Sequence, residues 1–136
     1  MKIALIADDK KKELMVEFCI AHCGVFSKHR LCATGKTAKY VSAATGLQIE
    51  ELLSGRLGGM EQVASRVCYN EIDLLLYFRD TEQLSADASC HNALSRVCDL
   101  YNIPIATNSA TAEILVTALE KGNASRRANV NGKIRK

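Results

Sequence analysis

Hydrophobic positions along this chain alternate between two spacings. Near-continuous apolar runs, typical of strands buried on both faces of a sheet, occupy Lys2–Ala7 and Ile72–Phe78, and a shorter run occupies Ile103–Thr107. Between the runs, apolar residues recur every three or four positions, which predicts amphipathic helices. The four predicted apolar stripes are Leu14, Met15, Phe18 and Cys19; Val63, Ala64, Val67 and Cys68; Leu94, Val97, Cys98 and Tyr101; and Ile114, Leu115, Ala118 and Leu119.

Weaker segments complete the pattern. His29–Ala33 is predicted to be a second strand, Lys36–Ala44 a shorter helix, and Leu47–Ser54 the location of a short strand. Strand and helix alternate about five times, which favours an α/β fold with a parallel sheet covered by helices on both faces. Such sheets bind ligands beyond the carboxyl ends of their strands.

That rule directs attention to the turns that follow the strands. We expect these turns to meet at one edge of the sheet, because the carboxyl ends of parallel strands lie together. The turns are Ala7–Lys12, Thr34–Thr37, Ser54–Glu61, Arg79–Cys90 and Thr107–Thr111.

The helical pattern stops after Leu119. We therefore predict one domain over residues 1–120, followed by a polar, basic and flexible tail at 121–136. No acidic residue offsets the cations of that tail, among them Arg126, Arg127, Lys133, Arg135 and Lys136. Since the whole chain carries a net charge of only +3, the predicted domain itself is close to neutral.

Composition narrows the classes of function. A chain of 136 residues with 48% hydrophobic and 24% charged residues is typical of one globular domain. A near-neutral body without tryptophan argues against a nucleic-acid-binding surface. No apolar run approaches the roughly 20 residues that span a bilayer, and Asp8 and Asp9 interrupt the first run too early for a signal peptide. We expect a cytoplasmic protein that binds neither nucleic acid nor membrane.

The six cysteines do not suggest a disulfide framework. Most fall within predicted helices or strands, where cysteine behaves as a small buried hydrophobe. Cys19, His22 and Cys23 have the spacing of metal ligands on one helix face, but a second pair of ligands is missing. We therefore predict buried thiols and no metal site.

The segment Thr34-Gly35-Lys36-Thr37 is the clearest candidate for chemistry. It follows a strand and opens a helix, so free backbone N–H groups, hydroxyls and an ammonium group could surround one anion. The segment lacks the upstream glycine of a P-loop, which argues against a nucleoside triphosphate. The alternative interpretation is a Thr-Gly turn that only caps a helix.

A second strand-to-helix turn is Ser54-Gly55-Arg56-Leu57-Gly58-Gly59. Its three glycines would let the backbone approach a ligand closely. The alternative is that the glycines only reverse the chain.

Taken together and in order, these segments resemble the methylglyoxal synthase family over about residues 1–120. The resemblance rests on Ala33-Thr34-Gly35, Leu53-Ser54-Gly55 with Gly58-Gly59 and Gln62, Ile72-Asp73-Leu74-Leu75, and Asn102–Thr111.

The family resemblance implies a three-layer αβα fold with a five-stranded parallel sheet. It also implies a homo-oligomer, typically a hexamer. The implied reaction eliminates phosphate from dihydroxyacetone phosphate to give methylglyoxal. A carboxylate removes a carbon-bound proton beside the carbonyl, and neighbouring donors stabilise the resulting enediolate. No metal or organic cofactor is implied.

The phosphate-binding positions implied by the family are largely present. They are Lys12, Thr34, Gly35, Thr37, Ser54 and Gly55, with Lys36 where the family usually has a threonine. An additional cation at Lys36 should strengthen anion binding if it points inward.

The catalytic positions depart from the family. Met60 stands where the family has its carboxylate base, and Met60 cannot transfer a proton. Asp8 and Asp87 replace two histidines, and Cys90 replaces an acid. The remaining candidates for proton transfer are Asp8, Asp9, Asp80, Asp87 and Glu61.

Two alternatives stay open. Asp8 and Asp9 can instead cap the first helix, where carboxylates satisfy free N–H groups. The function is also open between two alternatives. The chain is either a lyase of reduced activity, or a module that binds a phosphorylated metabolite or regulates a partner without catalysing a reaction.

Overall fold

A computed structural model describes residues 1–82 and 88–122 and contains one parallel sheet. Its strands are β1 (Lys2–Ala7), β2 (Arg30–Thr34), β3 (Ile49–Leu52), β4 (Leu74–Phe78) and β5 (Ile105–Ala106). Its helices are α1 (Lys12–Ala21), α2 (Cys23–Phe26), α3 (Gly35–Thr45), α4 (Gly59–Cys68), α5 (Ala88–Leu100) and α6 (Ser109–Glu120). Short 3-10 helices cover Asp9–Lys11 and Gly55–Leu57.

The strand order is β3-β2-β1-β4-β5, and every pairing is parallel. From β1 the chain builds outward through β2 to β3, and it then crosses back to β4 on the other side of β1. The switch point of this topology therefore lies between β1 and β4, where a doubly wound sheet opens a crevice at its carboxyl edge. The expected five-stranded parallel sheet is confirmed.

Side chains of β1 point alternately into two hydrophobic cores, one on each face of the sheet. Ile3 and Leu5 face a cluster built with α1, α2, α3 and α6, while Ala4 and Ile6 face a second cluster built with α4 and α5. Successive side chains of a strand point to opposite faces, so this one strand serves both layers. The result is the expected three-layer arrangement.

The two edges of the sheet carry residues that resist further strand pairing. β3 exposes Glu50 and Glu51, and Glu50 forms a two-pronged ion pair with Arg66 of α4. The short strand β5 follows Pro104, which has no N–H to donate, although its carbonyl accepts a hydrogen bond from Leu75 N at 3.0 Å. Because of that missing donor, β5 begins only after Pro104, and it spans two residues of the predicted Ile103–Thr107.

The buried stripe of α6 differs from the prediction. Ala112 and Val116 are fully buried, whereas Ile114, which the predicted stripe includes, is 71% exposed. Leu115 and Leu119 pack only partly against the core. Ile114 lies two positions from both buried residues and so points about 160° away from each of them.

Among the cysteine side chains that the structure describes, Cys19, Cys32 and Cys98 are buried, as predicted, whereas Cys23 is half-buried and Cys68 is exposed. Burial raises the pKa of Cys19 and Cys98 to about 12 and that of Cys32 to about 11, which keeps these thiols protonated and unreactive. Cys68 is exposed at the end of α4, because its helix turns that position towards solvent.

Two absences hold for the part of the chain that the structure describes. Residues 1–82 and 88–122 contain no helix long and apolar enough to cross a membrane. Within the same ranges, no group of three or more histidine, cysteine, aspartate or glutamate side chains is placed to hold a metal ion.

The position of the α6 stripe can be tested by truncation. Val116→Ala should lower the free energy of unfolding by about 2 kcal/mol, because it removes two buried methyl groups and leaves a cavity. Ile114→Ala, on the same helix, should change it by less than about 0.5 kcal/mol. Urea unfolding of both variants measures the difference, and an equal loss at both positions would contradict the assignment.

Candidate functional site

A cavity of about 350 Å³ opens at the carboxyl edge of the sheet, beside the switch point. It lies where the turns after β1, β2 and β3 meet the end of β4. Its lining combines cations, acids and apolar side chains. The described residues that line it are Ile6, Ala7, Asp8, Asp9, Lys12, Thr34, Lys36, Ser54, Gly55, Arg56, Leu57, Met60 and Tyr77. We call it the site cavity.

Two uncapped helix starts face one side of the site cavity. Thr34 precedes α3 and Ser54 precedes the 3-10 helix Gly55–Leu57, and neither side chain forms a capping hydrogen bond with its own helix. Backbone N–H groups in the first turn of a helix have no intrahelical acceptor, and the helix dipole favours negative charge there. The N–H of Gly35 already donates to the Leu53 carbonyl at 3.3 Å, and that of Leu57 donates to the Ser54 carbonyl at 2.9 Å. The Thr34 and Ser54 hydroxyls and the other first-turn amides are the groups on this side that suit an anion.

Glycines bring the second and third turns into contact. A Cβ added to Gly59 would lie 2.1 Å from the carbonyl oxygen of Leu53 and 2.9 Å from Cγ2 of Thr34. A Cβ on Gly35 would lie 3.0 Å from Cα of Ser54. Gly58 has a φ of 104°, a conformation that side chains disfavour. These glycines serve contact between turns, whereas only Gly55 of this segment's glycines lines the site cavity.

Lys12 is anchored at the entrance of the site cavity. Its ammonium group donates to the carbonyl of Ala7 at 2.8 Å and lies 3.1 Å from a carboxylate oxygen of Asp9. The other Asp9 oxygen is 3.9 Å from the guanidinium of Arg56. The Lys12 hydrogen bond is the main cause that lowers the pKa of Asp9, and the charges of Lys12, Arg56 and Lys36 lower it further against a smaller effect of burial.

Asp8 does not cap the first helix. Its carboxylate instead accepts the Tyr77 hydroxyl at 3.3 Å and the backbone N–H of Asp80 at 2.8 Å. Both donors belong to the end of β4 and the turn after it, so Asp8 ties β1 to β4 across the switch point. The capping alternative for Asp8 is therefore wrong, because these donors on the neighbouring strand hold its carboxylate.

The deepest wall of the site cavity is apolar. Met60, in the first turn of α4, is 6% exposed and packs in the same cluster as Ile6 and Tyr77. Its side chain approaches the third turn, since its Cγ would lie 4.0 Å from a Cβ at Gly55. Met60 therefore lines the site cavity with a side chain that cannot exchange protons.

His91 lies behind this wall. Its ring packs edge-on against Tyr77 with centroids 5.0 Å apart, and its Nε2 is 3.5 Å from the Ser95 hydroxyl. Its Nδ1 is buried without a hydrogen-bond partner among the described residues. Burial lowers the pKa of His91, the charge of Arg79 lowers it further, and the charge of Asp8 opposes both.

Several predicted site residues meet at the site cavity and others do not. Those that line it are Asp8, Asp9, Lys12, Thr34, Lys36, Ser54 and Gly55. Gly35, Thr37, Asp80 and Glu61 are not among its described lining residues. Asp87 and the side chain of Cys90 lie outside the described residues.

The residues off the lining have other positions. Thr37 is 1% exposed, and its hydroxyl is buried with no partner among the described residues. One carboxylate oxygen of Asp80 accepts from the Glu82 N–H at 3.0 Å. Glu61 is exposed, because it follows the buried Met60 by one helical position and is rotated about 100° from it.

Five lining residues were not among the candidates from the sequence: Ile6, Ala7, Arg56, Leu57 and Tyr77. The glycine-rich turn already contained Arg56 and Leu57, so attention to its side chains as well as its glycines would have found them. Tyr77 is the one polar side chain in the run Leu74–Phe78, which was a usable signal. Nothing in the pattern distinguishes Ile6 from its apolar neighbours.

The sequence matches the family described as "MGS-like domain" over residues 15–107. A protein named methylglyoxal synthase from Caldicellulosiruptor saccharolyticus is 50% identical over 136 residues, which is all of this chain and 96% of that protein. Another of that name, from Bacillus mycoides, is 47% identical over 123 residues, or 90% of this chain and 94% of the relative. The similarity thus extends past residue 120.

A solved structure has the same fold. The crystal structure of methylglyoxal synthase from Elizabethkingia anophelis superimposes with a TM-score of 0.76 at 35% sequence identity. The match covers 85% of this chain and 76% of that one.

The contact between turns predicts a strong effect of one methyl group. Gly59→Ala should lower the free energy of unfolding by about 1–3 kcal/mol, because backbone atoms surround the new Cβ and cannot rotate away. Gly24→Ala is the matched control, since its Cβ would have nothing within 4 Å. Thermal or urea unfolding of both variants compares them, and a Gly59→Ala variant as stable as the Gly24→Ala variant would contradict the contact.

The environment of His91 predicts a pH dependence of stability. Because the folded state lowers the pKa of His91, the unfolded chain binds the proton more readily, and stability should fall as the pH drops through about 6.5. We expect the loss in free energy of unfolding between pH 7.5 and 5.5 to be smaller in His91→Gln and His91→Phe variants. Identical pH profiles in the variants and the parent chain would refute this.

Proposed function

This chain belongs to the MGS-like domain family, and on that basis we propose that the site cavity binds a small phosphorylated metabolite. The proposed reaction is the conversion of dihydroxyacetone phosphate to methylglyoxal and phosphate, at a rate reduced by Met60. The observation that carries the proposal is the convergence of Lys12, Thr34 and Ser54 on one cavity.

The phosphate is proposed to sit between the second and third turns. Thr34, Ser54 and Gly55 line the cavity there, and the helix starts behind Thr34 and Ser54 lack side-chain caps. Lys12 supplies a cation that is already held in place by the Ala7 carbonyl. Lys36 and Arg56 add positive charge at the rim. Thr37 brings a buried hydroxyl to the first turn of α3, and pairing such a group is favourable.

The side chains at the apolar wall of the site cavity, where the substrate proton would be removed, support the proposal of a slow reaction. Removal of a carbon-bound proton requires a base beside the substrate, and the apolar wall places Met60 there. Asp8 lines the same cavity, and its carboxylate accepts a hydrogen bond from Tyr77, which belongs to that wall. The Tyr77 hydroxyl and the Asp80 N–H already occupy Asp8, and both hydrogen bonds compete with its acceptance of a substrate proton.

A second function is favoured by the same methionine. A protein with intact phosphate contacts and no base would bind its metabolite without turning it over, and would act as a sensor or a regulatory subunit. Met60 is the specific observation in favour of this candidate. Either function requires binding of a phosphorylated metabolite, and turnover separates them.

Self-association and a cytoplasmic location are proposed along with the function. Large apolar side chains that are more than half exposed support the first, because contacts between subunits cover such residues. They are Ile20, Tyr40, Leu53, Leu57, Tyr69, Leu100 and Ile114.

Restoring a carboxylate tests the proposed reaction. Met60→Asp should raise the rate of phosphate release from dihydroxyacetone phosphate by about 10²–10⁴, the usual contribution of a general base. The new side chain would sit in the first turn of α4, where the helix dipole favours negative charge. Release of phosphate and formation of methylglyoxal are both measured, and thermal unfolding checks that the variant folds.

Two matched variants make this experiment decisive. Met60→Leu keeps the wall apolar and should give no gain. Thr34→Ala in the Met60→Asp background should remove most of the gain, since it weakens the proposed phosphate contacts. A folded Met60→Asp protein with no more activity than Met60→Leu would contradict the proposal that Met60 limits the reaction.

A further inference from the structure

Asp9 pairs with two cations of the site cavity, and it holds them to different degrees. The ammonium group of Lys12 lies 3.1 Å from one carboxylate oxygen and donates to the Ala7 carbonyl at 2.8 Å, and its side chain is only 16% exposed. The guanidinium of Arg56 lies 3.9 Å from the other carboxylate oxygen, and its side chain is 79% exposed. Lys12 is therefore anchored at two points, whereas Arg56 is held by one weak contact.

The guanidinium of Arg56 keeps its hydrogen-bond donors unused. A distance of 3.9 Å is too long for a hydrogen bond, and Arg56 forms none with any of residues 1–82 and 88–122. A guanidinium carries five N–H donors and no acceptor. An ion pair between two exposed side chains contributes little, because water solvates both charges. Arg56 can therefore leave Asp9 at small cost.

Arg56 directly follows the residues that are proposed to hold the phosphate. It is the middle residue of the short 3-10 helix after Ser54, and its Cα lies about 3.8 Å from that of Gly55. Both residues line the site cavity. The N–H groups of Leu57 and Gly59 donate to the Ser54 carbonyl at 2.9 Å and fix the backbone of this turn. A fixed backbone thus carries a loosely held cation beside the proposed phosphate position.

A phosphate monoester is a stronger partner for Arg56 than the carboxylate of Asp9. The ester brings about two negative charges at neutral pH and three acceptor oxygens, where the carboxylate brings one charge and two oxygens. The planar guanidinium matches phosphate with two parallel hydrogen bonds. A phosphate between the second and third turns would therefore compete with Asp9 for Arg56.

We infer that Arg56 is a specificity-determining residue that changes its partner on binding, from Asp9 in the empty site to the phosphate in the occupied site. The inference rests on the proposed binding of a phosphorylated metabolite and is independent of turnover. Lys12 keeps its contacts, because an ammonium group has a third donor for the phosphate. Asp9 is then the counter-ion of the empty site and opposes binding, since its contact with Arg56 must be given up.

Long-range attraction is the competing explanation. A cation near the cavity favours an anion without touching it, and Arg56 would then act through its charge alone. Arg56→Lys separates the two explanations, because lysine keeps the charge and lacks the planar fork. Arg30→Gln controls for net charge, since Arg30 is the exposed first residue of β2 and lies at the opposite edge of the sheet.

Calorimetric titration of the full chain with glycerol 3-phosphate tests the inference. This three-carbon ester has no carbonyl group and so cannot undergo the proposed elimination, and inorganic phosphate is the second probe. Arg56→Gln should weaken the binding of both about tenfold, the usual effect of a lost hydrogen bond to a charged group. Arg56→Lys should recover only part of that loss, and Arg30→Gln should bind as the parent chain does.

Asp9→Asn tests the change of partner itself. Removal of the competing carboxylate should strengthen the binding of glycerol 3-phosphate about threefold, the size of one exposed ion pair. The gain should be smaller in an Arg56→Gln background, because residues that contact each other do not contribute independently. Thermal unfolding checks that each variant folds.

Four results would overturn the inference and leave the proposed function standing. They are an Arg56→Gln protein that binds as tightly as Arg30→Gln, full recovery by Arg56→Lys, weaker binding by a folded Asp9→Asn protein, and an equal gain from Asp9→Asn in both backgrounds. Failure of the parent chain to bind either probe at millimolar concentration would overturn the proposed function, and this inference with it.

Discussion

Backbone contact between two turns is the constraint on which the site depends. Gly59 places α4 so close to Leu53 and Thr34 that no side chain fits between them. Because of this contact, the start of α3 and the 3-10 helix after Ser54 face the same space. The anion binding that we propose for the site therefore depends on packing first and on the identity of its polar side chains second.

The same packing sets the two ends of the site apart. The turns after β2 and β3 present hydroxyls and uncapped helix starts, while the second core layer supplies Ile6, Met60 and Tyr77. Asp8 stands where these two environments meet, because it is bonded to the end of β4. A ligand bound in this cavity would contact a charged end and an apolar end, so a change such as Met60 would alter the chemistry at one end and leave the proposed phosphate contacts at the other in place.

Periodicity was sufficient to predict the layers of the fold. Strands buried on both faces, such as Lys2–Ala7, have an apolar pattern that little else produces, and the five-stranded parallel sheet was correctly expected. The error at Ile114 came from a helix that is apolar on several sides, where the pattern does not say which side faces the core. The prediction for Cys68 failed for a related reason, since the last turn of a helix often projects beyond the layer it covers.

The sequence indicated which residues line the site cavity best where the backbone fixes their position. Thr34, Ser54 and Gly55 follow strands and so had to lie at the carboxyl edge. Asp8 was harder, because its partners Tyr77 and Asp80 are about 70 residues away in sequence and only strand pairing brings them together. Arg56 and Tyr77 were missed because their roles depend on the direction of one side chain.

The edges of the sheet limit how copies of this chain can assemble. At one end, Glu50 and Glu51 would place like charges opposite each other if two β3 strands were to pair. At the other end, β5 is only two residues long and offers a partner strand few hydrogen bonds. Copies of the subunit cannot readily join into one continuous sheet. Contacts between copies would therefore use helix and loop surfaces rather than the edges of the sheet.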